Sequence, residues 1–262
     1  MGTEEILAFF IDAAKRGYVA FSETPQDQKI NVAGSREYHF PKIVSFEITS
    51  TCNIMCTYCY GCYGPQKKEH FSIEEIPRFF DKLASHGVIG VELTGGEPLA
   101  HPKFTSIYGL AFKKFDFVPV ISNGILWKPE LFEIVELNKH KAFIQISIDG
   151  SNEETNALVR QKKGTWDKTL RTVKKLVEIE VPLRVTFVVT HENKHDLKNT
   201  AQLMREIGVK AFAISLPDGL GRGSELTYED GKSLVNFTSP YANELMDLVA
   251  EVNVDTKISY TI

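Results

Sequence analysis

The strongest constraint on this chain is a rhythm. Short apolar, β-branched runs recur six times, and stretches with helical spacing fill the gaps between them. The runs are 43–49, 89–94, 118–122, 143–148, 183–190 and 211–216. Runs of this length, rich in Val, Ile and Phe, are expected as strands covered on both faces. Between them, Ser72 and Glu75 have capping-box spacing. Ile76, Phe80 and Leu83 then share one helical face, Pro77 can shift the start by a few residues, and Gly87 suits the stop. Residues 101–114 and 129–138 have helical spacing as well. Leu170, Val173, Leu176 and Val177 form another stripe, and Leu197, Ala201, Met204 and Ile207 a further one that ends at Gly208. Ser239 and Pro240 fit the opening of a last helix through Ala250.

A strand followed by a helix, repeated six times, predicts an α/β fold with parallel strands. Six units fall short of the eight in a closed barrel. An open, partial (β/α)6 barrel or a doubly wound sheet remains, and in either the ligand sits at the C-terminal ends of the strands. The polar, glycine-rich features collect at that end. A cysteine cluster follows strand 1, Gly95-Gly96-Glu97-Pro98 follows strand 2, Ser122-Asn123-Gly124 ends strand 3, and Ser147-Ile148-Asp149-Gly150 ends strand 4. Before the first strand, segments 17–21 and 29–32 read as a small hairpin. The residues 256–262 read as a strand with no partner assigned. The expected division is a helix/hairpin extension over 1–40, the partial barrel over 41–225, and a helix-and-strand tail over 226–262.

All four cysteines lie between positions 52 and 62 of the 262, spaced Cys52-x3-Cys56-x2-Cys59-x2-Cys62. A disulfide framework would spread them through the fold, so this cluster reads as a metal site in a reducing compartment. Thiolates select iron–sulfur clusters, zinc or Cu(I). A structural zinc site usually takes two separated cysteine pairs, and no second pair exists here. Three cysteines on a cubane leave one iron without a protein ligand, and an open position is what lets a metal centre do chemistry.

Cys52-Asn53-Ile54-Met55-Cys56-Thr57-Tyr58-Cys59 resembles the CxxxCxΦC signature of radical S-adenosylmethionine (SAM) enzymes, with Tyr58 in the aromatic slot. Gly95-Gly96-Glu97-Pro98 is similar to that family's GGEP motif. Ser147 to Gly150, Arg160, Gly164 to Leu170 and Gly221-Arg222-Gly223 look like the SPASM/twitch branch, although its auxiliary-cluster cysteines are absent after Cys62. The resemblance covers roughly 43–223. It implies a 4Fe–4S cluster on Cys52, Cys56 and Cys59, with the amino and carboxylate groups of SAM on the fourth iron. Reductive cleavage of SAM would then yield a 5′-deoxyadenosyl radical that abstracts a substrate hydrogen. It further implies that Gly95, Gly96 and Pro98 shape the SAM-methionine turn, and that Glu97 meets the ammonium or anchors that loop. Tyr58 would pack near the adenine, with Ser147, Asp149 and Asn123 near the ribose. Arg160, read as a loop residue, would pair with the SAM carboxylate. Asp149 alternatively caps or orders its loop, and Cys62 is a loop thiol or takes part in substrate chemistry.

The implied substrate is a peptide or protein side chain, with a tetrapyrrole or other cofactor precursor as the alternative. The implied partner is a one-electron reductant of flavodoxin or ferredoxin type. A non-catalytic iron–sulfur or zinc-binding subunit is the rival of another class. The formal net charge of −4 disfavours nucleic acid. No apolar run reaches the ~18–20 residues that span a bilayer, and the acidic start lacks a signal-peptide n-region. A cytoplasmic protein is therefore the expectation.

Overall fold

The computed structural model describes residues 3–15, 40–226, 247 and 259–261. Contacts divide the chain into a unit over 1–32 and a body over 33–262. In the first unit, α1 spans Thr3–Lys15. The expected hairpin and the helix after Pro240 lie outside the described residues, apart from a helical Asp247.

The body alternates strand and helix as the periodicity predicts. Its strands are β1 (Ile43–Thr49), β2 (Gly90–Gly95), β3 (Val118–Ser122), β4 (Ala142–Ser147), β5 (Leu183–Val188), β6 (Ala211–Ser215) and β7 (Ser259–Thr261). Its helices are α2 (Ile76–Ser85), α3 (Phe104–Lys114), α4 (Pro129–Leu137), α5 (Glu153–Arg160), α6 (Trp166–Glu178) and α7 (Leu197–Ile207). The strands form one sheet in the order β1-β2-β3-β4-β5-β6-β7, parallel at every step. Sequential order excludes the doubly wound alternative, whose strand order reverses at a switch point. Among the described residues β1 and β7 do not pair, so the barrel is open and partial. The terminal strand read without an assigned partner finds one: Ser259 to Thr261 pair in parallel with Ala211 to Ala213. A final strand is stable here because the free edge of β6 presents unpaired backbone groups to it.

The strands β2, β3, β5 and β6 are buried at most positions, as expected of strands covered on both faces, while β4 alternates strictly and β1 is exposed at its start. Phe46 and Ile48, Val91 and Leu93, Ile144 and Ile146, and Val185 and Phe187 are buried with the helices in one core. That core takes Phe80 from α2, Ile107 and Tyr108 from α3, Val135 from α4, Val173 from α6 and Met204 from α7. Each such side chain contributes roughly 1.5–3 kcal/mol when fully buried. The opposite, interior face carries Ser45, Glu47, Glu92, Gln145, Ser147 and Arg184, with cross-strand bonds from Ser45 to Glu92 and Arg184 to Gln145. The same face also carries Pro119, Ile121 and Phe143, with the Arg184 guanidinium over the Phe143 ring, so the barrel interior is mixed.

Helix α2 begins after a turn, and the expected capping box does not form. The Ser72 hydroxyl accepts from Glu74 N–H at 3.2 Å rather than from Glu75, and Glu75 is the N-cap without a side-chain bond. Pro77 in the first turn needs no amide partner, so the helix starts there at little cost. Its end is as expected: Gly87 N–H donates to Ala84 O and Val88 N–H to Leu83 O, a Schellman stop. The helix expected from His101 starts at Phe104, because His101 is used beforehand. Its Nε2 meets Phe71 O at 2.9 Å and its Nδ1 accepts from Lys103 N–H at 3.1 Å. Among the described residues no helix is long and apolar enough to cross a membrane.

Candidate active site

The cysteine loop leaves the end of β1 and is closed at its base by its own backbone and threonines. Thr51 N–H donates to Thr49 Oγ1 at 3.0 Å, Thr51 Oγ1 to Lys67 O at 2.8 Å, and Cys52 N–H to Gly64 O at 3.3 Å. Within the loop, Cys59 N–H donates to Cys56 O and Cys62 N–H to Cys59 O, two successive tight turns. Their effect is to place Cys52, Cys56 and Cys59 on the wall of one cavity of about 160 Å³. Cys62 is exposed with φ 50°, and it does not line that cavity.

The turn after β2 locks onto the same loop. Gly96 N–H donates to Thr49 O and Glu97 N–H to Thr51 O, both at 2.8 Å. Gly95 has φ 135°, and a Cβ there would lie 2.2 Å from Thr49 O, so only glycine allows this approach. Gly95 and Gly96 line the cavity, whereas Glu97 turns away from it. The Glu97 carboxylate is 1% exposed and accepts from Ser122 Oγ at 2.8 Å, Asn123 N–H at 2.7 Å and Leu99 N–H at 3.2 Å. Of the two expected roles the geometry is that of an anchor. Burial pushes its carboxyl up to about 7, and these three donors pull it back only in part. Pro98 is buried and opens the short 3₁₀ turn that Glu97 caps. Asn123 lines the cavity and reaches back to the loop, with Nδ2 at 2.7 Å from Asn53 Oδ1 and 3.9 Å from Cys52 Sγ.

At the end of β4 the structure departs from the loop reading. Ser147 lines the cavity, but Asp149 does not. Asp149 is fully buried, with Oδ2 accepting from Tyr58 Oη at 2.8 Å and Oδ1 from Val188 N–H at 2.9 Å. Both oxygens accept from protein donors, which is the arrangement of the loop-ordering alternative for Asp149. Arg160 is not a loop residue either. It is the last residue of α5 and 2% exposed, because Asn152 caps that helix through Thr155 N–H at 3.0 Å. Its Nε stands 2.9 Å from Asp149 Oδ2, close as an ion pair but off the N–H axis. The same guanidinium faces the cavity. Tyr58 also lines the cavity, while its hydroxyl is held by Asp149.

Two contributors, Asn156 and Asn193, escaped the sequence reading, and a third, Arg222, was noted there only as part of Gly221-Arg222-Gly223 without a role. Asn156 accepts from Asp149 N–H at 3.0 Å, and Asn193 donates to Asp149 O at 3.1 Å, so two amides fix the carboxylate segment. Arg222 donates to loop carbonyls from beyond β6. The signal available for the first was the Asn152 cap followed by two acidic residues; the others depend on contacts distant in sequence.

The donor set fits a bound iron–sulfur group. Burial raises the Cys52 thiol to about 12 and the Cys56 thiol to about 11, with Arg160 pulling Cys56 down. Thiolates in this cavity need a cationic partner, as iron provides. Among the described residues no three metal-ligating side chains converge on a single ion; the three thiols surround a cavity instead.

The sequence model of the Radical SAM superfamily matches residues 46–204, from β1 into α7. The chain belongs to the radical SAM superfamily. Members of this family use a 4Fe–4S cluster and SAM. This radical SAM chain is 31% identical over 233 residues to the antilisterial bacteriocin subtilosin biosynthesis protein AlbA of Bacillus subtilis strain 168, covering 87% of this chain and 52% of AlbA. It is 31% identical over 206 residues to the sporulation killing factor maturation protein SkfB of the same strain, covering 79% of this chain and 50% of SkfB. The fold resembles Streptococcus suis SuiB bound to S-adenosylmethionine with a TM-score of 0.67 at 14% identity, over 85% of this chain and 50% of SuiB. The chain thus spans about half the length of the curated relatives it matches.

Proposed function

We propose that this chain is the SAM-cleaving barrel of an enzyme that matures a peptide or protein side chain by hydrogen-atom abstraction. The carrying observation is that three of four clustered cysteines line one cavity together with the Gly95-Gly96 turn and Ser147. The relatives named for bacteriocin biosynthesis and killing-factor maturation support a peptide substrate. In this reading Cys52, Cys56 and Cys59 hold the cluster, and three ligands leave one iron open for SAM. When bound, the reduced cluster supplies the electron that cleaves the SAM C5′–S bond and so generates the radical that removes a substrate hydrogen.

The chain's own residues bind and orient. Gly95, Gly96, Asn123 and Ser147 present backbone and polar groups to SAM. Arg160, held by Asp149, offers a guanidinium suited to its carboxylate. The Tyr58 ring lines the same wall, and Glu97 and Pro98 keep the glycine turn in place. The electron comes from an external carrier of flavodoxin or ferredoxin type.

Anaerobic reconstitution should load about four irons per chain, and reduction with SAM should release 5′-deoxyadenosine. Four irons bound with no 5′-deoxyadenosine above background would overturn the enzyme reading. Replacing Cys56→Ala should remove the cluster absorbance, and retention of it would refute the ligand assignment.

A further inference from the structure

The segment after β6 crosses the mouth of the open barrel and seats on the cysteine loop that follows β1. It is a 3₁₀ turn, Gly221–Glu225. Arg222 makes three contacts with that loop. Its backbone N–H donates to Cys59 O at 3.0 Å, its Nε to Cys56 O at 2.7 Å, and its second guanidinium nitrogen to Tyr63 O at 2.9 Å. The three carbonyls span the whole turn that carries two of the cavity cysteines. The approach is backbone against backbone: Gly221 has φ 55°, and a Cβ there would lie 2.1 Å from Tyr60 O and 2.6 Å from Cys59 O. Arg222 also lines the cavity beside Cys56 and Cys59, so a fixed positive charge stands at its wall.

Cys56 O and Cys59 O each accept one bond from the loop's own turns, both long at 3.3 Å, and Arg222 adds a second, shorter bond to each and reaches on to Tyr63 O. A planar fork with several fixed donors suits widely spaced acceptors; a single ammonium point charge does not. We propose that Arg222 is a positioning residue. It staples the 56–63 turn in its ligating conformation before the cluster arrives, and it raises the potential of the bound cluster by its charge. The second half rests on the function proposed above; the first half concerns the chain alone.

Hydrogen exchange of the chain before cluster loading tests the staple. In Arg222→Gln and in Arg222→Lys, the amides of Cys59 and Cys62 should exchange at least about tenfold faster than in the wild type, as expected when a local unit opens more readily. Amides of β3 and β4 should be unchanged, and Arg205→Gln, at an exposed position of α7, should change neither set. Wild-type exchange at Cys59 and Cys62 in both variants would overturn the staple. If Arg222→Gln loses its fold by circular dichroism, exchange in the lysine variant decides the matter alone.

Redox titration of the loaded protein, followed by the electron paramagnetic signal, tests the charge. The potential should move to more negative values in Arg222→Gln and stay closer to the wild type in Arg222→Lys, since net charge near a cluster sets its potential. No shift in the glutamine variant would overturn that half. A wild-type protein with full iron and no SAM cleavage would instead refute the proposed function and leave the exchange result standing.

Discussion

Two corners of the rim bury a carboxylate, and they solve the same problem differently. At the β2/β3 corner Glu97 is 1% exposed and meets neutral donors: one hydroxyl and two amides. At the β4/β5 corner Asp149 is fully buried but has the Arg160 guanidinium 2.9 Å away, with a phenol and an amide completing its shell. The first corner holds a turn against the start of the cysteine loop. The second holds a cation at the cavity wall. Neutral donors suffice to fix a backbone, whereas a cation presented to an anionic ligand needs a buried counter-charge to hold it there.

The largest expected effect breaks the ionic corner. Asp149→Asn leaves Arg160 buried without a counter-charge and should cost about 3–5 kcal/mol, read by chemical denaturation. The double replacement Asp149→Leu with Arg160→Met should recover much of that loss; equal losses would mean the pair is not coupled. Next comes the neutral corner. Glu97→Gln puts an amide N–H₂ against existing donors and should cost about 1–3 kcal/mol.

That variant also tests the difference in pH behaviour. The folded Glu97 carboxyl lies near 7 against an ordinary 4.5, so the folded chain holds its proton more tightly. Its contribution favours folding fully below about 4.5 and is lost as the pH rises through about 7. Melting curves from pH 5 to 8 should therefore fall more steeply in the wild type than in Glu97→Gln; parallel curves would refute the shift. A smaller effect, about 1–2 kcal/mol, is expected for Tyr58→Phe, which removes one hydrogen bond from the Asp149 shell. The smallest lies outside both corners. Cys62 has φ 50° and is exposed, so Cys62→Gly should leave the iron content unchanged and stability unaltered or raised by up to about 1 kcal/mol. Loss of iron there would make Cys62 a ligand.

Legibility in the sequence followed the range of the interactions. Strand positions, the Gly87 and Gly208 stops and the three-plus-one spacing of the cysteines are local patterns, and the first six strands lie within a residue or two of their expected places. Ser72 and Glu75 misled because a capping box competes with Pro77 two positions on. Helix α5 went unread because eight residues with two leading glutamates carry little apolar periodicity. Arg160 was placed in a loop for the same reason.

By itself, the sequence determined that parallel strands would alternate with helices and that every polar turn would fall at one end of them. It also determined that three thiols would share a single short loop. Backbone propensity and nearest-neighbour packing are enough to decide such things. Only the tertiary structure decided that Asp149 belongs to Arg160 rather than to the cavity, that Glu97 faces inward, and that Arg222 returns to the cysteine loop. Each of these depends on which group desolvation leaves beside which charge, and the partners lie 11, 25 and more than 150 residues apart.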